Sequence, residues 1–340
     1  VMDGALIGGF LIVGGISYLV DHSLADAIGA VVMFAVTSMR LIPTLIGYQA
    51  TMNTLNSNTA QVQAIIRDLV TSDRYRAETE HLGKELLSDD PKELVLENVT
   101  FTYPNRNEPA VSNVSMTVKA GTRIGIVGES GSGKSTLVDI VLGLLVPQEG
   151  TITVDGQDIT DVMADWRAHV GYVPQDVALF DGTIAQNVAL TWRDDIDMDR
   201  VIECLKLAQM WKAVQERPGG LNAEVGERGI ALSGGQRQRL GIARALYADP
   251  YILIMDEATS ALDTKTESKI TKALSKLHGK VTVISIAHRL STVKDADRLF
   301  YMEDSFVLAQ GTFDEVTRDV PNFREQAALA GLVAKEELEH

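Results

Sequence analysis

Residues 128–136 read Gly-Glu-Ser-Gly-Ser-Gly-Lys-Ser-Thr, a lysine set among glycines and hydroxyls, and that combination points to phosphate chemistry. Gly128, Gly133, Lys134 and Ser135 fill every fixed position of a phosphate-binding loop. Gly128, Gly131 and Gly133 permit a turn that aims backbone N–H groups at an anion, and the N-terminus of a following helix adds partial positive charge there. Lys134 can reach the outer phosphates of a nucleoside triphosphate, and the Ser135 hydroxyl can ligate Mg²⁺. Ser130 and Thr136 complete the candidate phosphate contacts. A second constellation is Asp256-Glu257, which ends the apolar run Tyr251-Ile-Leu-Ile-Met255. A carboxylate at Asp256 suits Mg²⁺, and Glu257 can orient an attacking water or accept its proton. A third is Leu232-Ser-Gly-Gly-Gln236, in which Ser233 reads as an N-cap leaving Gly234 and Gly235 near exposed N–H groups.

These residues need particular elements to hold them. Arg123–Val127 is apolar enough for a buried strand, and 136–142 suits a helix, so the loop has the strand–loop–helix setting it requires. The run 251–255 reads as a fully buried parallel strand. In open α/β sheets ligands bind beyond the carboxyl ends of strands, which places Asp256 and Glu257 beside the phosphates. After Gln236, apolar residues at 240, 242, 243, 245 and 246 have helical spacing. The expected fold is an α/β P-loop NTPase with three parts. Residues 93–122 read as antiparallel strands, 123–175 with about 241–310 as a RecA-like nucleotide core, and 176–240 as a helical subdomain. Residues 314–333 read as closing helices.

The three motifs in this order resemble the ATP-binding cassette (ABC) ATPases, over roughly residues 93–332. The resemblance implies ATP and Mg²⁺ as ligands and assigns further residues. Tyr103, in Phe-Thr-Tyr-Pro, matches the aromatic that stacks on adenine. Gln175, in Tyr-Val-Pro-Gln-Asp, matches the glutamine that contacts Mg²⁺ and senses the γ-phosphate, so the implied metal set is Ser135, Gln175 and Asp256. His288, in Ile-Ala-His-Arg-Leu, matches the histidine on the γ-phosphate. The implied catalytic set is then Glu257, His288, Gln175 and Lys134. Ser260-Ala-Leu-Asp263 matches a loop that crosses a dimer interface, and Val225–Gly229 resembles an element of the exporter branch. Ser233, Gly234, Gly235 and Gln236 would close over the ATP of a second subunit, head to tail. That partner is a second ABC subunit, with a homodimer favoured over a heterodimer.

The N-terminus differs in kind. Residues 4–20 carry no charge over seventeen positions, and 24–46 contains Asp26 at its edge and Arg40 inside. Ten residues of the second run are Leu, Ile, Val or Phe. At about −0.3 to −0.6 kcal/mol each they outweigh the roughly +2.5 to +3.5 kcal/mol of an arginine at mid-bilayer. The expectation is two transmembrane helices over 1–46, joined by a short acidic turn. A cytoplasmic helical extension and linker over 47–90 follow, then the ABC ATPase domain over 91–333. Residues 334–340 read as a tail, Leu338-Glu339-His340 resembling a tag remnant. Two apolar runs with Arg40-Leu-Ile-Pro43 late in the second resemble the last two helices of an ABC exporter subunit. Six helices are usual there, so the chain reads as lacking transmembrane helices ahead of Val1. Arg40 has two readings: an intramembrane contact for an anionic headgroup, or a helix-end arginine snorkelling to the cytoplasmic surface.

The net charge of −15 argues against a nucleic-acid partner, and the lone Cys204 excludes an intrachain disulfide. Two function classes result. The first is the ATPase part of an exporter or flippase of the cell membrane. It would be multi-pass, in contact with membrane lipid, with its ATPase domain in the cytoplasm. The substrate would be a lipid, lipid-linked saccharide or other amphipathic molecule. The second is a non-transport ABC ATPase of the DNA-repair or ribosome-associated type. The first lacks neither motif nor membrane segment; the second leaves 4–46 unexplained.

Overall fold

A computed structural model gives the structure of residues 2–80, 83, 85–88, 90–193, 195–258, 263–287 and 289–333. It divides into two compact units, 1–81 and 82–340.

The first unit is a helical hairpin, α1 (Met2–Asp21) and α2 (Leu24–Glu80). His22, at φ 45, makes the turn, and its N–H donates to the Tyr18 carbonyl at 3.1 Å. The helices meet through small residues. A Cβ on Gly9 would come within 2.8 Å of the Phe34 ring, and one on Gly14 within 2.8 Å of Val31. Phe10 and Phe34 meet edge to face at 5.4 Å. Small residues at such contacts let helix backbones approach closely, the packing mode of apolar media. Pro43 lies inside α2, which continues through it over 57 residues. Hydroxyls along α2 fold back on carbonyls four residues earlier, Thr37 to Met33 at 2.8 Å and Thr44 to Arg40 at 3.0 Å. Polar side chains thus satisfy themselves inside the helix. Leu11, Leu19 and Met39 are each more than 70% exposed, so the apolar surface of this unit faces outward. Within α2, the stretch Leu24–Asp73 is long and apolar enough to cross a membrane. The apolar run of α1, Ile7–Val20, is shorter than the usual crossing of about 20 residues.

The second unit holds two sheets. The smaller is antiparallel in the order β2-β1-β4-β5, from β1 (Glu93–Phe101), β2 (Val111–Lys119), β4 (Glu149–Val154) and β5 (Gln157–Asp158). Residues 149–158 therefore leave the nucleotide core, where the sequence reading had put them. Their strand pairs with β1, Leu96 opposite Ile152, and buries Ile152 and Val154 against the same face as Leu94 and Leu96. The larger sheet runs β10-β9-β3-β8-β7-β6. It comprises β3 (Arg123–Gly128), β6 (Val170–Val173), β7 (Ile252–Asp256), β8 (Thr282–Ile286), β9 (Arg298–Glu303) and β10 (Phe306–Gly311). All its pairs are parallel except β9 with β10. Ile252 to Met255 are buried on both faces, which explains their unbroken apolar run.

Behind β3 sit α3 (Lys134–Val141) and α4 (Met163–Ala168), whose Trp166 donates its indole N–H to the Val141 carbonyl at 2.8 Å. The helical group comprises α5 (Ile184–Ala189), α6 (Met198–Leu207), α7 (Trp211–Gln215) and α8 (Gly234–Tyr247), around Val188, Val201, Leu205, Leu240 and Ile242. Arg244 of α8 fixes this group. It donates to the carbonyls of Asn187 and Ala178, each at 2.8 Å, and to the Asn187 side chain at 3.0 Å. α9 (Thr264–Leu274) buries Ile270 and Leu274 in the same core as the helical group, and α10 (Leu290–Val293) buries Leu290 and Val293 beside Tyr301. α11 (Phe313–Asp319) and α12 (Pro321–Leu329) close the chain on Tyr301, where Phe313 and Phe323 meet edge to face.

Candidate functional site

The phosphate loop joins β3 to α3 at the centre of the larger sheet, and it is held by its neighbour strand: Gly128 pairs with Met302 of β9. Gly133 caps α3 at φ 97, and a Cβ there would overlap the Ala110 carbonyl oxygen. Only glycine meets both demands. Lys134 is buried, and its ammonium donates to the carbonyls of Gly128 at 2.9 Å and Glu129 at 2.5 Å, and to Ser132 Oγ at 3.4 Å. Burial pulls its pKa below the ordinary lysine value, while the charges of Glu257, Asp256 and Glu129 oppose that shift. The lysine therefore sits within the field of both strand-end carboxylates.

A cavity of about 1000 Å³ opens beside this loop. Tyr103, Ser130, Gly131, Gly133, Lys134, Ser135, Thr136 and Glu257 all line it. The Tyr103 hydroxyl lies 3.3 Å from Thr136 Oγ1, and its ring packs edge to face on Phe101 at 5.0 Å. Across the loop, Glu257 takes φ 48, and its N–H donates to the Ile286 carbonyl of β8 at 3.2 Å. A left-handed conformation is uncommon for a glutamate and recurs at functional positions. The Gln175 amide donates to Glu257 Oε2 at 2.9 Å.

Two neighbours of this site, Tyr172 and Gln238, carry no signal in the sequence reading. The Tyr172 hydroxyl of β6 donates to Asp256 Oδ2 at 3.5 Å. Burial first, then the Asp256 charge, raises its pKa to about 12. Gln238, buried within α8, donates to the Gln175 carbonyl at 3.3 Å, so the helix that begins at Ser233 touches the segment that holds Glu257. Glu267 of α9 accepts from Arg289 at 3.2 Å and Thr292 at 2.9 Å. Asp263 caps α9 by accepting from the Thr266 N–H at 3.0 Å. His288 and residues 259–262, with Ser260, lie outside the described residues.

Ser233 caps α8 as its sequence suggests. Its hydroxyl accepts from the Gln236 N–H at 3.3 Å, and its own N–H donates to Gln236 Oε1 at 2.9 Å. Gly234 and Gly235 form the first turn of α8. None of these four residues lines the phosphate-loop cavity.

The family model of the ABC transporter ATP-binding domain matches residues 111–260. The C-terminal part of the chain belongs to the ABC transporter family. Over 235 residues it is 41% identical to the ATP-dependent lipid A-core flippase of Salmonella typhimurium, covering 69% of this chain and 40% of that protein. Over 231 residues it is 43% identical to the sophorolipid transporter of Starmerella bombicola, covering 65% of this chain and 18% of that one. Among solved structures, a bacterial Atm1-family ABC exporter with ATP bound matches with a TM-score of 0.69 and 31% identity. That match covers 97% of this chain and 66% of the exporter chain. The chain thus spans about 40% of the length of the lipid A-core flippases it matches. The α/β P-loop ATPase fold, preceded by an apolar helical unit, agrees with these relatives.

Proposed function

We propose that the chain is the ATP-hydrolysing part of an exporter or flippase subunit that moves a lipid, lipid-linked saccharide or other amphipathic substrate. The observation that carries this reading is the Gln175–Glu257 pair at 2.9 Å, with Glu257 and Lys134 lining one cavity. In it ATP places its phosphates against Lys134 and the N–H groups at the start of α3, with the base toward Tyr103. Lys134 exchanges its contacts with the Gly128 and Glu129 carbonyls for phosphate oxygens. Glu257 orients water in line with the γ-phosphate and accepts its proton, while Gln175 holds that carboxylate in place. The family resemblance assigns the γ-phosphate contact to His288. Ser233, Gly234, Gly235 and Gln236 act in trans, on the ATP of a second ABC subunit.

The residues present suit Mg²⁺. Ser135, Asp256 and Gln175 offer a hydroxyl, a carboxylate and an amide oxygen, the hard donors this ion takes. The Gln175 amide nitrogen is engaged by Glu257, which leaves Oε1 for the cation. Bound there, Mg²⁺ would neutralise charge on the phosphate oxygens.

The transport reading rests on the first unit. Exposed apolar helices support a membrane-embedded segment over 1–46, multi-pass, with 47–90 as its cytoplasmic extension and 91–333 as a cytoplasmic ATPase domain. The lipid substrate class is supported by the relatives that are themselves lipid A-core and sophorolipid transporters. The test is the chain expressed in bacterial membranes, assayed for carbonate-resistant membrane association and Mg²⁺-dependent ATP turnover. Release into the aqueous fraction would remove the membrane reading. Absence of turnover would remove the catalytic one.

A further inference from the structure

We propose that Phe306 is a second base-contacting side chain, so that the nucleobase lies in a two-sided mouth with Tyr103 on one wall and Phe306 on the other. This rests on the nucleotide reading of the cavity and extends it. Four observations carry it. Both aromatics line the same cavity as the phosphate-loop residues Gly131, Lys134 and Ser135. A nucleotide anchored at Lys134 thus shares its cavity with both rings. Phe306, the first residue of β10, is 49% exposed.

The turn that presents it is built rather than loose. Asp304 and Ser305 join β9 to β10 with φ of 46 and 72, both in the left-handed region that favours glycine. The turn is tied to the segment that leads from Tyr103 into β2. Ser305 Oγ donates to the Pro109 carbonyl at 2.8 Å, and the Ser112 N–H donates to the Ser305 carbonyl at 2.8 Å. The turn that carries Phe306 is thereby anchored to Pro109 and Ser112 through two short bonds. Arg106, Asn107 and Glu108 line the same mouth and offer polar groups to the edge of a base. An aromatic wall costs little entropy to present, and base–aromatic contacts are tolerant of base identity.

The experiment measures equilibrium binding of ATP and of inorganic tripolyphosphate to the full chain in detergent, for wild type, Phe306→Ala, Phe306→Leu and Phe306→Tyr. Alanine should weaken ATP about fivefold or more. Leucine should fall between alanine and wild type, and tyrosine should restore wild-type affinity. Tripolyphosphate, which has no base, should bind all four proteins equally. Unchanged ATP affinity in both Phe306→Ala and Phe306→Leu overturns the inference while leaving the nucleotide site standing. An equal loss for both ligands also overturns it, because the defect then lies in the phosphate loop. Failure of wild type to bind either ligand removes the nucleotide reading itself, and Phe306 with it. Leucine keeps the bulk of the side chain on β10, so it reports even if alanine disturbs the hairpin.

Discussion

The helices that begin at Lys134 and at Gly234 offer the same hardware to an anion, since the first N–H groups of any helix have no partner within it. They are finished differently. α3 is capped by a glycine with no side chain to give, at φ 97, and its start lines a cavity of about 1000 Å³. α8 is capped by a reciprocal pair, Ser233 with Gln236, and its start lies away from that cavity. One start is left for a ligand of its own unit. The other carries a side-chain cap on its Gln236 N–H, and under the proposed function it meets the ATP of a second subunit. The contrast teaches that two helix N-termini in one unit can be finished in different ways, one by a glycine and one by a reciprocal side-chain pair.

The strongest way to break the comparison is at the carboxylate facing α3. Glu257→Gln keeps the side chain's shape but removes the base, while Lys134 still holds phosphate. Steady-state ATP turnover should fall roughly 10²- to 10⁴-fold with ATP binding retained. Turnover near wild type would show that Glu257 has no such role, whatever its position.

A second experiment asks whether α8 works across an interface. Lys134→Ala and Ser233→Arg should each abolish turnover alone. Mixed under conditions shown to form heterodimers, they should recover part of it. One composite site then carries both lesions and the other carries none. Persistent inactivity of the mixture would place Ser233 in its own subunit's chemistry and dissolve the contrast between the two helices.

Much of this was legible from local spacing. The phosphate loop, the apolar run into Asp256 and the Ser233–Gln236 cap each lie within a few consecutive residues, so periodicity and capping rules reach them. What escaped is non-local. Gln238 of α8 meets the loop at Gln175, and Tyr172 meets Asp256 across paired strands, contacts that no single window contains. The strand at 149–154 was misplaced for the same reason. Its alternation marks a strand, but only pairing with β1 says which sheet. Phe306 was missed because a lone phenylalanine at a hairpin has an ordinary packing explanation until its cavity is seen.

A smaller effect separates the two caps. Ser233→Ala removes a side-chain acceptor from the start of α8 and should cost about 1 kcal/mol of stability. The measurement is denaturant unfolding of the full chain in detergent, comparing midpoints at constant slope. Ser233→Asp, which keeps an acceptor, should recover most of the loss. If alanine and wild type unfold at the same midpoint, the reciprocal bond between Ser233 and Gln236 contributes nothing to the helix.

The effect that is smallest at neutral pH lies near the other helix, in the alkaline limb of stability. Asp256, beside the phosphate loop, has the Tyr172 hydroxyl for a neighbour at 3.5 Å. Burial, together with the Asp256 and Asp139 charges, raises that hydroxyl from 10.0 to about 12. Between those values the folded chain keeps a proton that the unfolded chain has lost. Stability therefore falls as pH rises from about 10 and levels off above about 12, and the contribution is intact at neutral pH. Tyr172→Phe removes the titrating group and should flatten that limb, with little change at pH 7 because the bond is long. Thermal unfolding of the two proteins across pH 8 to pH 11 reads the difference. Parallel curves would mean that the phenol ionises alike in both states, and that the acidic side of the site is open to water rather than walled by β6.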